Sequence, residues 1–318
     1  MRTSLAATLA TVCLALPAAA LTPDDIRGAT YGGGDLPDGQ SGLTVQVQVL
    51  LDRAGISPGI IDGYKGGMSE SALKAFEARE GFEVDGILDP EVWDALGGGS
   101  ADPVIQPYTV TEEDASGLVA EIPDHVAKKA EMEKLGYVRV SEKLAERFHM
   151  DEDVLVALNP DAAFQPGETI TVAAPGPRLE ADVARIEIRK SDRRAVAFDA
   201  DGEMITSYPV AIGSDGTPSP SGTMEITATA MDPTYTYDPD VNFKTDGVDE
   251  ALTLPPGPNG PVGTVWLDLS KPTYGLHGTD TPAKLFEHRS HGCVRFANWD
   301  IEELAHLVEQ GTQVEFME

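Results

Sequence analysis

The sequence predicts a multidomain α+β protein, with small helical units in front and a β-rich domain at the C-terminal end. Three observations carry this. The chain has 318 residues, more than one modest core usually holds. Near Ala184 the hydrophobic pattern changes from helix-like spacing to strand-like alternation. Two glycine-rich runs, Gly32-Gly33-Gly34 and Gly97-Gly98-Gly99-Ser100, read as joints between units.

Taken in order, residues 1–20 have the make-up of a secretory leader. Arg2 supplies a positive start, Leu5 through Leu16 an apolar stretch, and Ala18-Ala19-Ala20 a small-residue cleavage pattern ending after Ala20. The apolar run is shorter than the roughly 20 residues of a membrane span. Cys13 leaves with this leader, and no transmembrane segment remains after cleavage. Residues 21–42, polar and glycine-rich, read as a tether. Residues 43–97 read as a compact helical unit. Asp89-Pro90 is a helix start, with Val92, Trp93 and Leu96 on one face; Ser69 starts an earlier helix carrying Leu73 and Phe76; Asp62-Gly63 and Asp85-Gly86 mark turns. Leu43, Val45, Val47 and Val49 alternate, which by periodicity alone reads as a strand.

After the flexible linker expected at 97–100, residues 108–174 give two short helices, around Leu144 to Phe148 and Val154 to Leu158, and a strand at Ile170-Thr171-Val172. From residue 180 to 317 strands dominate, at Ile186 to Ile188, Val196 to Phe198, Met204 to Ile212, Thr223 to Thr227 and Val265 to Leu269. A Pro/Gly-rich stretch from Asp232 to Gly263 interrupts them, a length that in a loop usually carries function. Asn298 reads as the cap of a last helix with Ile301, Leu304, Ala305 and Val308 as its buried stripe; Gly311 ends it, and Val314 and Phe316 form a final strand.

The charge excludes some partners. With 23 basic against 53 acidic residues the net charge is −30. Nucleic acid and anionic membrane surfaces both need clustered cations and are disfavoured. The cysteine count is more telling. Cys293 is the only cysteine outside the leader, so it has no intramolecular disulfide partner. It stands in Ser290-His291-Gly292-Cys293, downstream of His277-Gly278-Thr279. A thiol near a histidine is a candidate nucleophile, since imidazole can take the proton. His277, His288, His291 and Cys293 also offer a zinc-ligand set, but at spacings of no common zinc motif and among glycines that suit an oxyanion turn better. No metal or other cofactor is expected.

The Cys motif, together with Gly213, Thr217 to Thr223, Gly257 to Gly263 and Asn298-Trp299-Asp300, resembles the catalytic domain of the YkuD-type L,D-transpeptidases over about residues 184–317. Gln46, Asp62-Gly63, Ala72 to Phe76, Asp85-Gly86 and Asp89-Pro90 resemble a three-helix peptidoglycan-binding domain, in which the first segment is a helix; this chain departs from it at Gly66-Gly67. Residues 108–174 resemble a degenerate LysM module with an insertion between Val110 and Tyr137. The first resemblance implies a periplasmic cysteine enzyme that cuts peptidoglycan tetrapeptide stems before the terminal D-alanine. It holds the acyl group as a thioester on Cys293, then passes it to a neighbouring stem, to an outer-membrane protein, or to water as an L,D-carboxypeptidase or an amide hydrolase that reverses the anchoring; the zinc-ligand set above is the alternative of a zinc-dependent wall hydrolase.

In that reading His277 is the base and the Gly278 carbonyl accepts its other ring proton. Gly292 and Cys293 N–H groups hold the oxyanion, His291 and Ser290 shape the pocket, and Arg295 pairs with a substrate carboxylate or with one of the many acids. His288 and His306 read as surface or packing residues, and His125 and His149 carry no signal. A wall-binding protein with a dead catalytic domain is the remaining alternative, and retention of both His277 and Cys293 argues against it.

Overall fold

The computed structural model describes residues 20–214, 216–240, 244–287 and 292–318. The leader, Cys13 included, lies outside them apart from Ala20, as do His288, Arg289, Ser290 and His291. No helix among the described residues is long and apolar enough to cross a membrane.

The N-terminal unit has four helices, α1 (Pro23–Gly28), α2 (Gly42–Arg53), α3 (Gly67–Glu80) and α4 (Pro90–Ala95). Helix α1 corrects the expected tether over 21–42. Thr22 and Asp25 form a reciprocal capping box at its start, and Ile26 is fully buried against α2. Leu36 joins the α2–α4 core, and the Tyr31 ring lies 5.2 Å from Trp93. A segment that buries three apolar side chains is part of the fold.

Helix α2 occupies the stretch that alternates like a strand. Ser41 Oγ caps it from Thr44 N at 3.1 Å. The alternation comes from two helical stripes on one buried helix. Val45 and Val49, four apart, face the middle unit, while Val47, Leu50 and Leu51 face α3 and α4. Helix α3 begins at Gly67, two residues before Ser69, whose hydroxyl instead donates to Tyr64 O and accepts from the buried Gln48. The expected linker at 97–100 is a hydrogen-bonded turn, with Gly98 N to Trp93 O and Ser100 N to Gly97 O both at 3.0 Å.

The middle unit pairs β1 (Ile105–Thr109) antiparallel with β2 (Thr169–Ala173), from Ile105 opposite Ala173 to Thr109 opposite Thr169. Between these strands come α5 (Val126–Ala130), α6 (Val140–Arg147) and α7 (Glu152–Leu158). Leu144, Phe148, Leu155 and Leu158 pack on Ile170 and Val172. Helix α5 does not join that core; it belongs to an excursion that runs to the C-terminal domain.

That domain contributes β3 (Arg185–Arg189), β4 (Arg194–Phe198), β5 (Met204–Pro209), β6 (Gly222–Met231), β7 (Tyr235–Tyr237), β8 (Leu252–Leu254), β9 (Val265–Leu269), β10 (Gly275–His277), β11 (Val294–Arg295), α8 (Asn298–Leu307) and β12 (Gln313–Met317). Eight strands form one sheet in the order β11-β10-β9-β6-β12-β3-β4-β5, parallel at β10/β11 and β12/β3 and antiparallel elsewhere. Just past β5, Ala211 exchanges backbone hydrogen bonds with Arg295 at 2.9 and 3.0 Å, so the two ends of the sheet curl round to meet. Ile301, Leu304 and Leu307 of α8 fill the concave side over Ile186, Ile226 and Leu267. Strands β7 and β8 make a separate hairpin inside the Pro/Gly-rich stretch.

The N-terminal unit is docked onto this sheet. Ile56 bridges to Ser207, and Ser57 N donates to Ser207 O at 2.8 Å, which adds a short strand to the β5 edge. Arg194, 2% exposed, donates to Ser57 O, Ser71 Oγ and Ser207 O and Oγ at 2.7–3.2 Å. Burial pulls its pKa down to about 9, which still leaves it charged at neutral pH. Hydrogen bonds from a charged donor stabilise by about 1.5–3 kcal/mol each, enough together to offset a desolvation cost of several kcal/mol.

All three units meet at a polar cavity of ≈ 390 Å³. His149, which carried no sequence signal, bonds Asp52 at 2.8 Å here and stacks on Trp299. Burial pushes Asp300 and Glu146 up to about 8; Ser57 donates to Asp300, and Asn298 and Tyr137 donate to Glu146. A carboxyl whose folded pKa exceeds its unfolded value stabilises the fold below the unfolded pKa and loses that contribution as pH rises through the folded one. Melting temperature is therefore expected to fall as pH rises from about 4.5 to 8. Asp300→Asn should flatten the slope; an unchanged slope in that variant would contradict the assignment.

Candidate active site

Strand β10 ends at His277 and β11 begins one residue after Cys293. The register sets Leu276 opposite Val294 and His277 opposite Arg295. Extended one residue back, it sets Cys293 beside Gly275. Residues two apart on a strand share a face, so the thiol and the imidazole are diagonal neighbours on one side of the sheet. Both line one cavity of ≈ 440 Å³, together with Arg295.

His277 is 4% exposed and held on two sides. Its ring stacks on Trp266 of β9, with centroids 5.4 Å apart and planes 15° from parallel. Its Nδ1 lies 2.7 Å from the Gly278 carbonyl oxygen. A carbonyl only accepts, so the proton sits on Nδ1 and Nε2 is the bare nitrogen. Burial pulls the imidazole down to about 4, with Arg295 adding to the effect, so the ring is neutral across the ordinary range. Gly278 is itself enclosed, since a Cβ there would stand 2.2 Å from Asn298 Oδ1.

That contact shows what the sequence reading of Asn298 missed. Ala297 is the N-cap of α8, and the Asn298 side chain faces the other way, against Gly278 and Gly263. Its Nδ2 donates to Glu146 of the middle unit at 3.0 Å and to Pro258 O at 3.3 Å. The loop that fixes the histidine tautomer is therefore buttressed from a second unit. The Asn298-Trp299-Asp300 segment was visible in the sequence, but its partner Glu146 lies 152 positions away.

Cys293 is partly exposed and free of disulfide. Its Sγ donates to Thr273 O at 3.7 Å. Thr273 has φ 72°, a strained conformation for a β-branched residue, and that backbone aims its carbonyl at the sulfur. Burial raises the Cys293 pKa above its ordinary value, and a hydrogen bond from the Gly275 backbone and the nearby Arg295 oppose this only in part. At neutral pH the group is a thiol. Gly292 has φ +113°, and a Cβ would meet the Tyr274 ring at 2.9 Å, so the turn before the thiol takes only glycine. Arg295 forms no ion pair among the described residues, and its Nε is buried without a hydrogen-bond partner. Ser290 and His291 lie outside the described residues, so the pocket roles expected of them have no geometry here. Among the described residues no group of three or more His, Cys, Asp or Glu is arranged to hold a metal ion.

Residues 183–316 match the family described as "L,D-transpeptidase catalytic domain" (YkuD), and residues 40–96 match "Putative peptidoglycan binding domain". The chain carries an L,D-transpeptidase catalytic domain. The chain is 29% identical over 177 residues to "Putative L,D-transpeptidase YkuD" of Bacillus licheniformis, covering 54% of this chain and 90% of that one. It is 31% identical over 121 residues to the Bacillus subtilis protein of the same name, covering 38% and 58%. To "Probable L,D-transpeptidase YbiS" of Escherichia coli K12 it is 29% identical over 136 residues, covering 42% of this chain and about half, 44%, of that one. The transpeptidase domain thus begins at Val183, just before β3, and includes His277, Cys293 and the α8 segment.

Proposed function

We propose that the chain is an exported cysteine L,D-transpeptidase that acts on peptidoglycan tetrapeptide stems. One observation carries the reading: Cys293 and His277 share a cavity, with the tautomer of His277 fixed by Gly278 so that its bare nitrogen is available to the thiol. Both groups rest neutral, so proton transfer accompanies attack. As Cys293 Sγ bonds to the carbonyl carbon of the third stem residue, His277 Nε2 takes the thiol proton. The N–H groups of Gly292 and Cys293 hold the oxyanion. Collapse breaks the amide bond, His277 returns its proton to the departing D-alanine amine, and a thioester remains.

An acceptor amine then loses a proton to His277 and displaces Sγ. An amine of a neighbouring stem gives a 3→3 cross-link, a lysine of an outer-membrane protein gives an anchored protein, and water gives a free tripeptide. The N-terminal unit supplies wall binding. The middle unit, with two helices between paired strands, is a LysM-like second contact with glycan. The leader-like make-up of residues 1–20 supports a periplasmic location.

A carbapenem tests the nucleophile. Its strained β-lactam should acylate the thiol, adding one adduct to the intact protein mass in wild type and none in Cys293→Ala. Wild type that turns over tetrapeptide yet takes no adduct would contradict the reading.

A further inference from the structure

We propose that Lys129, from the excursion of the middle unit, is a specificity-determining residue of the catalytic cavity that binds a carboxylate of the peptide substrate. The proposal rests on the reading of Cys293 as the acyl carrier. Lys129 lies in α5, more than 50 residues before the transpeptidase domain begins, yet it lines the same cavity as Cys293, His277 and Arg295.

The excursion is fixed there by two sets of contacts. Val126 and Leu135 are buried in one cluster with Tyr237, Val248 and Leu254 of the hairpin stretch. Backbone bonds run from Leu135 N to Pro256 O at 2.8 Å and from Asn259 N to Leu135 O at 3.0 Å, and Asn259 Nδ2 donates to Gly136 O at 3.0 Å. Ordering this segment costs entropy at every residue, and around α5 the contacts that offset it lie against the catalytic domain. The excursion is thus a built wall of the cavity.

The chemistry of that wall is selective. The chain has 53 acids to 23 lysines and arginines, but among the described residues this cavity is lined by two of each, Asp124 and Asp238 against Lys129 and Arg295. Lys128, the next residue, pairs with Glu131 on the outside, whereas Lys129 has no ion-pair partner among the described residues. A balanced lining suits a group carrying both ammonium and carboxylate, as at the free end of a peptide or of a diamino-acid side chain. Among the described residues, Lys129 and Arg295 are the cations that can receive the carboxylate.

The test uses the full chain with Lys129→Met, Lys129→Arg and Lys128→Met. Cys293 alkylation is timed with anionic iodoacetate and neutral iodoacetamide at low salt. Lys129→Met should lower the iodoacetate-to-iodoacetamide rate ratio about five-fold, the effect of one charge near the thiol, with Lys129→Arg and Lys128→Met near wild type. With tetrapeptide substrate, Lys129→Met should raise KM and spare kcat, and amidating the peptide carboxylates should raise KM in wild type but little in Lys129→Met. A lowered ratio in a protein that turns over no peptide would uphold the anion site and sink the transpeptidase reading. A ratio and KM unchanged in Lys129→Met, or shifted equally by Lys128→Met, would overturn the proposal.

Discussion

Cys293→Ala is expected to lose turnover of tetrapeptide stems by on the order of 10⁴-fold or more while keeping the wild-type fold. The side chain is partly exposed at the mouth of a bend, where its Sγ makes a long hydrogen bond to Thr273 O. Alanine keeps the backbone of the turn and removes one atom from a partly exposed side chain, so the melting temperature should change little. What disappears is the thiol, the most nucleophilic side chain lining the cavity among the described residues. Serine is no rescue: its hydroxyl is a far weaker nucleophile, and His277, pulled down to about 4, is too weak a base to activate it. Measured kcat/KM together with circular dichroism checks this. Activity of the alanine variant within ten-fold of wild type would end the cysteine mechanism.

His277→Ala should lower kcat by roughly 10²- to 10⁴-fold, the usual contribution of a positioned acid–base group. The pH dependence gives the sharper signature. Only the neutral imidazole can take the thiol proton, so wild-type kcat/KM should hold on the acid side until the pH approaches about 4, where His277 protonates. An ordinary histidine would give that limb near 6.5. The limb should be missing in His277→Ala. Because burial also raises the Cys293 thiol, its alkylation rate should keep climbing past pH 9 without a plateau near neutrality. A plateau between pH 5 and 7 would show a resting thiolate–imidazolium pair and contradict the neutral-pair description.

Much of the site was legible because it is local in sequence. The Gly292-Cys293 turn, the His277-Gly278 step and the alternating strands from Ile186 onward each declare themselves within a few residues. What was not legible depends on distant surfaces. Residues 21–42 look like a tether because their few apolar side chains are scattered, yet Ile26, Tyr31 and Leu36 each find a core in another element. The glycine run at 97–100 has a flexible composition and a fixed conformation, since its carbonyls and N–H groups bond within the turn. The four valine-class positions of α2 alternate because the helix is buried on two sides, a pattern that periodicity cannot separate from a strand. Asn298 reads as a helix cap from its neighbours alone, whereas Glu146, Gly263 and Gly278 decide where its side chain goes.

The docking of the units also bears on how the enzyme meets its substrate. An N-terminal unit pinned by Arg194 and by the pairing of Ile56 with Ser207 holds a set orientation to Cys293 instead of swinging on a linker. Wall contact by the front of the molecule then presents the catalytic cavity at one angle, with the Lys129 wall already in place.

The measurement that tests the central claim most directly is mass spectrometry of purified tetrapeptide muropeptides incubated with the full chain, with Cys293→Ala and a chelator-treated sample alongside. The account predicts loss of the terminal D-alanine with a tripeptide or a 3→3-linked product, unaffected by the chelator and absent with Cys293→Ala. Intact tetrapeptide throughout, or D-alanine release that survives in Cys293→Ala or stops on chelation, would contradict it.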